Sequence, residues 1–183
     1  MESKESKQEE PKPTTTTTTK EEPKKETQEE QKSEATIPTE GLLEDFARLD
    51  IRVGEITECW KHPDSEKLYC EKINIGDEVR EIGSGLQKFV AIEEMKGLVL
   101  VLANLKPRKL GGFPSHGMVM CASNADHTAV ELLRPPAGAK VGERVTLEDY
   151  DKVPQTKEKP LDDKKHKTME KTFPYLKTND DLE

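Results

Sequence analysis

Apolar and polar residues alternate through the middle of the chain with the two-residue period of β-strands. Leu49, Ile51 and Val53 open the first such segment, which runs to Trp60. The pattern predicts a strand in which Gly54 permits a bulge or a close approach of another strand. The same criterion predicts further strands at residues 69–75, 79–82, 98–102, 117–122, 130–133 and 144–147, and a short helix at 91–95.

Turns rich in glycine and proline separate these segments at intervals of about 8–15 residues. The apolar run LVLVL at 98–102 is too short for an ordinary helix and is typical of a strand buried on both faces. Strands at this spacing favour a small closed β-barrel over a fold built of β–α–β units. The predicted fold class is therefore all-β.

The segments on either side of this central region, 42–150, differ from it in composition. Residues 1–41 are almost entirely Lys, Glu, Thr, Gln, Ser and Pro, and cannot bury enough apolar surface to offset chain entropy. We predict a disordered N-terminal tail there, acting as a solvated spacer or as a docking tail. Residues 151–183 contain few apolar side chains and are predicted to form a short C-terminal extension that leans on the barrel, with a helix near 163–171.

The overall composition fits a chain that is only partly packed. Hydrophobic residues make up 32% of the 183 residues, whereas an ordinary globular domain has ~45–50%. No apolar run is long enough to cross a bilayer, and the N-terminus lacks an apolar signal segment. We therefore expect no membrane partner and a cytoplasmic location.

Catalytic side chains do not occur in a catalytic arrangement. Ser84 lies in Gly-Ser-Gly without the fuller pattern of a nucleophile elbow. Ser115 next to His116 is uninformative, because neighbouring side chains of a strand point to opposite faces. The glycine pair at 111–112 lacks the remainder of a phosphate-binding loop. We predict no catalytic residues and no cofactor.

The cysteines and one nearby histidine are the candidate metal ligands of the chain. Cys59, His62 and Cys70 do not complete the four ligands of a zinc site, and buried cysteines usually act as small hydrophobic residues. With Cys121 they are also too few and too scattered for a disulfide framework, which fits a reducing compartment. We predict no metal site.

One short basic segment stands out against an acidic background. The formal net charge of −8 argues against a protein that coats nucleic acid through bulk charge. The segment NLKPRKLGG at 104–112, however, places Lys106, Arg108 and Lys109 around Pro107, directly after a predicted buried strand. A proline-stiffened loop at the barrel rim loses less entropy when it engages a polyanion. From charge alone, an RNA-binding loop and an ordinary solvated turn fit equally well.

Five sequence motifs, in the same order along the chain, resemble those of one family. They are LDIRVG at 49–54, HPDSEKLY at 62–69, SGL at 84–86, NLKP at 104–107 and SHGMVM at 115–120, and the similarity continues through 141–146. The chain is similar to the tRNA-binding OB-fold domain of endothelial monocyte-activating polypeptide II. That domain also occurs in many methionyl-tRNA synthetases, in a free-standing bacterial tRNA-binding protein and in a fungal synthetase cofactor. The resemblance implies a five-stranded OB-fold barrel.

The resemblance also implies a function and a binding face. The implied function is non-catalytic binding of folded tRNA, with little sequence preference, in support of aminoacyl-tRNA synthetases in trans. The implied partners are tRNA and methionyl-tRNA synthetase or another aminoacyl-tRNA synthetase. The implied tRNA-binding residues are Lys67, Lys106, Arg108, Lys109, Ser115 and Met118, although the family often has alanine at the position of Arg108. A strand-core role for Met118 is the structural alternative, and the segment 62–64 is expected to form a turn rather than a contact.

Two departures from the family affect these expectations. Related eukaryotic proteins carry a longer C-terminal module that imitates the second subunit of a bacterial dimer, and this chain reaches Glu183 within that module. We therefore expect either weaker tRNA affinity or a homodimer. The N-terminal partner domain of larger members is also absent, which bears on a stable place in a multi-synthetase complex. The alternative function is a cytokine-like or protein-interaction module, linked in the family to the segment matching 52–57, where Glu55 departs from the usual residue.

Overall fold

Antiparallel strands account for most of the structure, a computed structural model that describes residues 41–147, 160–161 and 163–177. The predicted tail, apart from Gly41, and residues 148–159, 162 and 178–183 lie outside this described part. The strands are β1 (Ile51–Lys61), β2 (Tyr69–Asn74), β3 (Val79–Ser84), β4 (Gly97–Leu102), β5 (Arg108–Leu110), β6 (Phe113–Ser115), β7 (Met118–Val119), β8 (Cys121–Ser123) and β9 (Val130–Leu132). The helices are α1 (Leu42–Ala47), α2 (Asp163–His166) and α3 (Thr168–Thr172), with 3₁₀ turns at Ile92–Glu94 and Phe173–Tyr175.

Five of the strands form a nearly closed antiparallel barrel in the order β3-β2-β1-β4-β7. Strand β1 is the longest and pairs with β4 over its first half and with β2 over its second half. The gap between β3 and β7 is bridged by the backbone N–H of His116, which donates to the carbonyl oxygen of Glu81 at 2.9 Å. The expected five-stranded barrel is confirmed.

Glycine permits a close approach inside β1. A Cβ atom at Gly54 would lie 2.7 Å from Cγ2 of Ile73 and 3.0 Å from Cγ2 of Val101, so β2 and β4 pack against a bare backbone at this point. The pairing register of β1 with β2 also shifts between Ile56 and Glu58. Both features match the bulge or close approach predicted for this strand. The segment 52–57 of the alternative signalling function lies within β1 and pairs with β4.

Residues 144–147 do not form the predicted last strand. Arg144 makes a single antiparallel bridge to Arg52. The N–H of Val145 donates to the oxygen of Ile51 at 2.8 Å, and the pairing ends there. It can extend no further, because β1 begins at Ile51 and the chain before it turns back into α1.

The strand predicted at 117–122 is likewise divided into β7 and β8. The N–H of Met120 donates to Leu100 of β4 at 2.8 Å, while its oxygen accepts from Leu133 at 3.1 Å. The chain therefore exchanges one pairing partner for another at this residue.

Apolar side chains form two clusters. The first fills the barrel and includes Ile73, Ile82 and Val99, each 0% exposed. The second lies on the barrel's outer surface and is formed by Phe46, Ala47, Leu49, Ile51, Leu102, Met120 and Leu161, with Met169 and Phe173 packed against it. As expected, the described residues of the C-terminal extension pack onto the barrel, and they form the two short helices α2 and α3. None of the helices in the described part is long and apolar enough to span a bilayer.

Candidate nucleic-acid interface

The basic segment forms a hairpin rather than a loop. Strands β5 and β6 pair in antiparallel register, and the two residues that connect them, Gly111 and Gly112, have φ angles of 59° and 94°. Two consecutive positive φ angles are the requirement of a type I′ hairpin turn, which glycine meets without strain. A glycine pair between apolar residues is the sequence signal for such a hairpin, which the sequence analysis did not predict.

The predicted cations of this segment are all accessible. Three exposed cations belong to this segment, namely Lys106, Arg108 and Lys109. Lys67, in the turn between β1 and β2, is exposed as well. Their side chains form no ion pair with any described residue. Their charges are therefore available to an anionic ligand.

The two faces of the hairpin have different surroundings. Cross-strand partners share a face, and the register pairs Arg108 with Ser115 and Leu110 with Phe113. A Cβ at Gly83 would lie 3.3 Å from Cδ1 of Leu110 and 3.6 Å from Cδ1 of Phe113, so this face packs on β3. Lys109 and its partner Pro114 occupy the opposite face. The structure thus places Arg108 and Lys109 on opposite sides of the hairpin instead of in one compact patch.

The tip of the hairpin rests on the turn between β1 and β2. A Cβ at Gly111 would lie 3.1 Å from Nε2 of His62 and 3.3 Å from Cδ1 of Leu68. The same histidine fixes the turn, because its Nδ1 accepts the N–H of Asp64 at 3.1 Å. The turn predicted at 62–64 is confirmed. This packing brings Lys67, which precedes Leu68, to the tip of the hairpin.

Two aromatic residues hold the hairpin from the side. The rings of Trp60 and Phe113 meet edge to face with a centroid separation of 5.8 Å, and the ammonium group of Lys72 lies 5.9 Å from the Trp60 ring. The Trp60 ring is therefore already engaged by two neighbours and serves as a support for the hairpin.

Ser115 lies beneath the predicted binding face. It is 2% exposed, and its Oγ accepts the N–H of Gly83 at 3.1 Å and donates to the oxygen of Gly117 at 3.1 Å. In this structure the hydroxyl therefore joins β6 to β3 and to the start of β7.

Replacing this serine is expected to loosen the rim. Ser115→Ala leaves the partly buried N–H of Gly83 without its acceptor, which should lower the free energy of unfolding by about 1–2 kcal/mol. Urea denaturation measures the change. Ser123→Ala is the matched control, because Ser123 is exposed and its hydroxyl bonds only to Nδ1 of His127. Equal losses in the two variants would contradict a closing role for Ser115.

Met118 lies apart from the hairpin. It pairs with Leu102 across β4 and β7 and packs, half-buried, against the second apolar cluster. The structure thus places Lys67 beside the tip of the hairpin, Arg108 and Lys109 on opposite faces of β5, Lys106 before its base, and Met118 beyond it. The strand-core alternative describes the surroundings of Met118 in this structure.

A buried carboxyl group lies inside the barrel, and the sequence analysis did not predict it. Glu71 is 0% exposed, and burial raises its pKa to about 7, although a hydrogen bond from the Ser84 hydroxyl opposes the shift. Its Oε2 has no hydrogen-bond partner among the described residues. Glu71 shares the strand parity of Tyr69, Ile73 and Ile75, which are all buried. That parity was the available signal.

The cysteines are free and chemically quiet. Burial, reinforced by the nearby Glu71 carboxyl, raises the pKa of Cys59 to about 12 and that of Cys121 to about 11. Thiols with such values stay protonated at neutral pH and are poor nucleophiles and metal ligands. Within the described ranges, no group of three or more His, Cys, Asp and Glu side chains is placed to hold a metal ion.

Comparison with known proteins matches both the sequence and this architecture. The family model described as "Putative tRNA binding domain" matches residues 51–144. A protein of rice (Oryza sativa subsp. japonica) described as "Probable methionine--tRNA ligase" is 49% identical over 138 residues, which are 74% of this chain and 17% of the ligase. The mouse (Mus musculus) aminoacyl tRNA synthase complex-interacting multifunctional protein 1 is 40% identical over 151 residues, which are 81% of this chain and 47% of that protein.

A solved structure extends the similarity to three dimensions. The C-terminal domain of Plasmodium vivax p43 superposes with a TM-score of 0.55 at 40% identity, covering 75% of this chain and 73% of that domain. By contrast, the chain spans only 17% and 47% of the two curated relatives named above. The part matched by the family model, residues 51–144, contains the barrel.

Proposed function

Because the chain belongs to the tRNA-binding domain family, we propose that it binds folded tRNA without catalysing a reaction and assists aminoacyl-tRNA synthetases in trans. One observation indicates which surface binds the tRNA. The hairpin β5–β6 and the residues that lead into it present three exposed cations that no described residue neutralises, on a body whose central region is acidic. Phosphate contacts of this kind position RNA without reading its sequence.

The contacts that we propose differ in kind. Lys106, Arg108 and Lys109 bind phosphates along the hairpin, and Lys67 binds a further phosphate at its tip. Ser115 belongs to the same interface as a positioning residue, since its hydroxyl fixes β6 against β3. Met118 extends the interface with an apolar contact to a ribose or base.

The proposed partners follow from the relatives. One is described as a methionine–tRNA ligase, and another is named for its interaction with the aminoacyl tRNA synthase complex. We propose methionyl-tRNA synthetase, or another aminoacyl-tRNA synthetase, as the protein partner, in the cytoplasm. A homodimer would supply a second hairpin to the same tRNA.

Binding of tRNA across a range of salt concentrations tests the proposal. Each phosphate contact releases counterions and contributes about −0.7 to −0.9 to the slope of log K against log salt, so four cations predict a slope of about −3. Fluorescence anisotropy with labelled tRNA between about 50 and 200 mM salt measures it. A slope near zero, or no binding at the lowest salt, would refute phosphate recognition by this surface.

A further inference from the structure

A groove borders the hairpin where the open edge of β3 faces the chain between β4 and β5. Its volume is about 530 Å³, within the range of about 300–1,000 Å³ that is common for small-ligand sites. Its walls include Val79 and Glu81 from β3, Leu105 and Pro107 from the opposite chain, and His116. A volume of this size can hold one planar heterocycle with part of its sugar.

Part of the groove's lining is apolar and accessible. Val79 is 58% exposed, the largest exposure among the large hydrophobic residues of the described part. Leu105 is half-buried and Pro107 is exposed, and both line the groove opposite β3. Apolar surface of this kind can pack against the face of a nucleobase, because burying both removes apolar area from water.

The lining also offers two polar side chains that nothing else in the described part of the chain engages. The carboxylate of Glu81 is exposed and has no ion-pair or hydrogen-bond partner there, and neither ring nitrogen of His116 has one. Arg80, by contrast, is held in place by the Glu78 carboxylate, by the Ala103 carbonyl and by the His116 carbonyl at 3.0 Å. The free acceptors therefore belong to Glu81 and His116.

The groove continues directly into the proposed phosphate-binding surface. Lys106 lies between Leu105 and Pro107, and Ser115 precedes His116. Resting on the proposed function, we infer that the groove receives one unpaired nucleobase of the bound RNA while Lys106 holds the adjoining phosphate. Single-stranded loops and ends of folded RNA present such unstacked bases.

The free carboxylate determines which bases fit. A carboxylate accepts hydrogen bonds and donates none, so it favours bases that carry an exocyclic amino group, as cytosine does at N4. Uracil has a carbonyl oxygen in place of that amino group, so at this position it would face Glu81 with acceptor against acceptor. The groove thus adds a base preference to an interface that otherwise recognises phosphates and shape.

Two short oligonucleotides and two variants test this site in the full chain. Pentacytidylate should bind at least about fivefold more tightly than pentauridylate, because one paired amino group separates them. Val79→Trp, at an exposed position, fills the groove and should weaken pentacytidylate binding about tenfold, because the base loses its contacts with the groove. Leu147→Trp is the matched control, since Leu147 is 39% exposed and does not line the groove. Glu81→Gln should reduce the preference for cytidine over uridine to about one, because an amide can pair with either base.

The outcomes separate this inference from the proposed function. If wild-type protein binds tRNA but V79W binds pentacytidylate as wild type does, the groove does not receive a base. Equal binding of the two oligonucleotides by wild-type protein overturns the inference as well. If V79W loses a synthetase partner while its oligonucleotide binding is unchanged, the groove is a protein-docking site and the inference is wrong. Failure of wild-type protein to bind tRNA at all overturns the proposed function itself.

Discussion

Reversing the three hairpin charges, with Lys106→Glu, Arg108→Glu and Lys109→Glu together, is expected to abolish retention of tRNA on a filter. The change removes three phosphate contacts and adds three carboxylates that repel the RNA backbone, so affinity should fall at least about a hundredfold. The circular dichroism spectrum and the unfolding midpoint should stay the same. All three side chains are exposed and none pairs with a described residue, so the fold does not depend on them.

A control with the same change of net charge isolates the position of the cations from their number. Lys88, Lys96 and Lys140 are also exposed, lie outside the hairpin and form no ion pair with described residues. Their triple reversal to glutamate should weaken tRNA binding only slightly and through long-range repulsion. Comparable losses in the two triple variants would show that bulk charge governs binding, and the hairpin would not be the site.

The second large effect concerns the stability of the barrel as pH changes. The folded-state pKa of Glu71 is raised to about 7, above the ordinary value of 4.5 that the group has when exposed. A carboxyl group whose pKa is raised by folding binds its proton more tightly in the folded state. Its stabilising contribution is therefore complete below pH 4.5. That contribution is lost as the pH rises towards 7 and does not change further above it. The loss is on the order of 3 kcal/mol.

Glu71→Gln should remove this pH dependence, because the amide is isosteric and never ionises. The variant should be more stable than wild type at pH 8, and its advantage should shrink steadily between pH 7 and pH 5. Urea denaturation at four pH values measures the difference. Glu55→Gln is the control, since Glu55 is an exposed residue of β1 and its substitution should leave the wild-type profile intact. A parallel profile for E71Q and wild type would mean that Glu71 is not a buried acid.

Alternation of apolar and polar residues was enough to predict the barrel, because the side chains on one face of a strand share the same environment. β1, β2 and β3 were all predicted close to their observed bounds. Helix α1 was not predicted, since its six residues are too few for a helical period to show and its place depends on Phe46 entering the second apolar cluster. The separation of β7 from β8 was not predictable either, because it depends on Met120 exchanging partners from two distant parts of the chain.

The chemistry of the interface was predicted only in part. The accessibility of Lys106, Arg108 and Lys109 follows from their charge and from Pro107, and the structure agrees. The position of Ser115 under the hairpin does not follow from its sequence, because its hydroxyl is committed to Gly83, which is 32 residues away. Glu71 lies in the barrel for a similar reason, since burial of a carboxyl depends on which strands surround it.

The fixed register of β5 and β6 has a consequence for how this family varies. Strand side chains alternate outward from the glycine turn, so inserting or deleting one residue between Lys109 and Gly111 exchanges the faces of Arg108 and Lys109. The cation on the inner side would then be the other one, even though both cations were still present. Chain length between Lys109 and the glycine turn is therefore as much a determinant of the ligand as the lysines themselves, and a chain one residue longer or shorter there would display a different arrangement of charge.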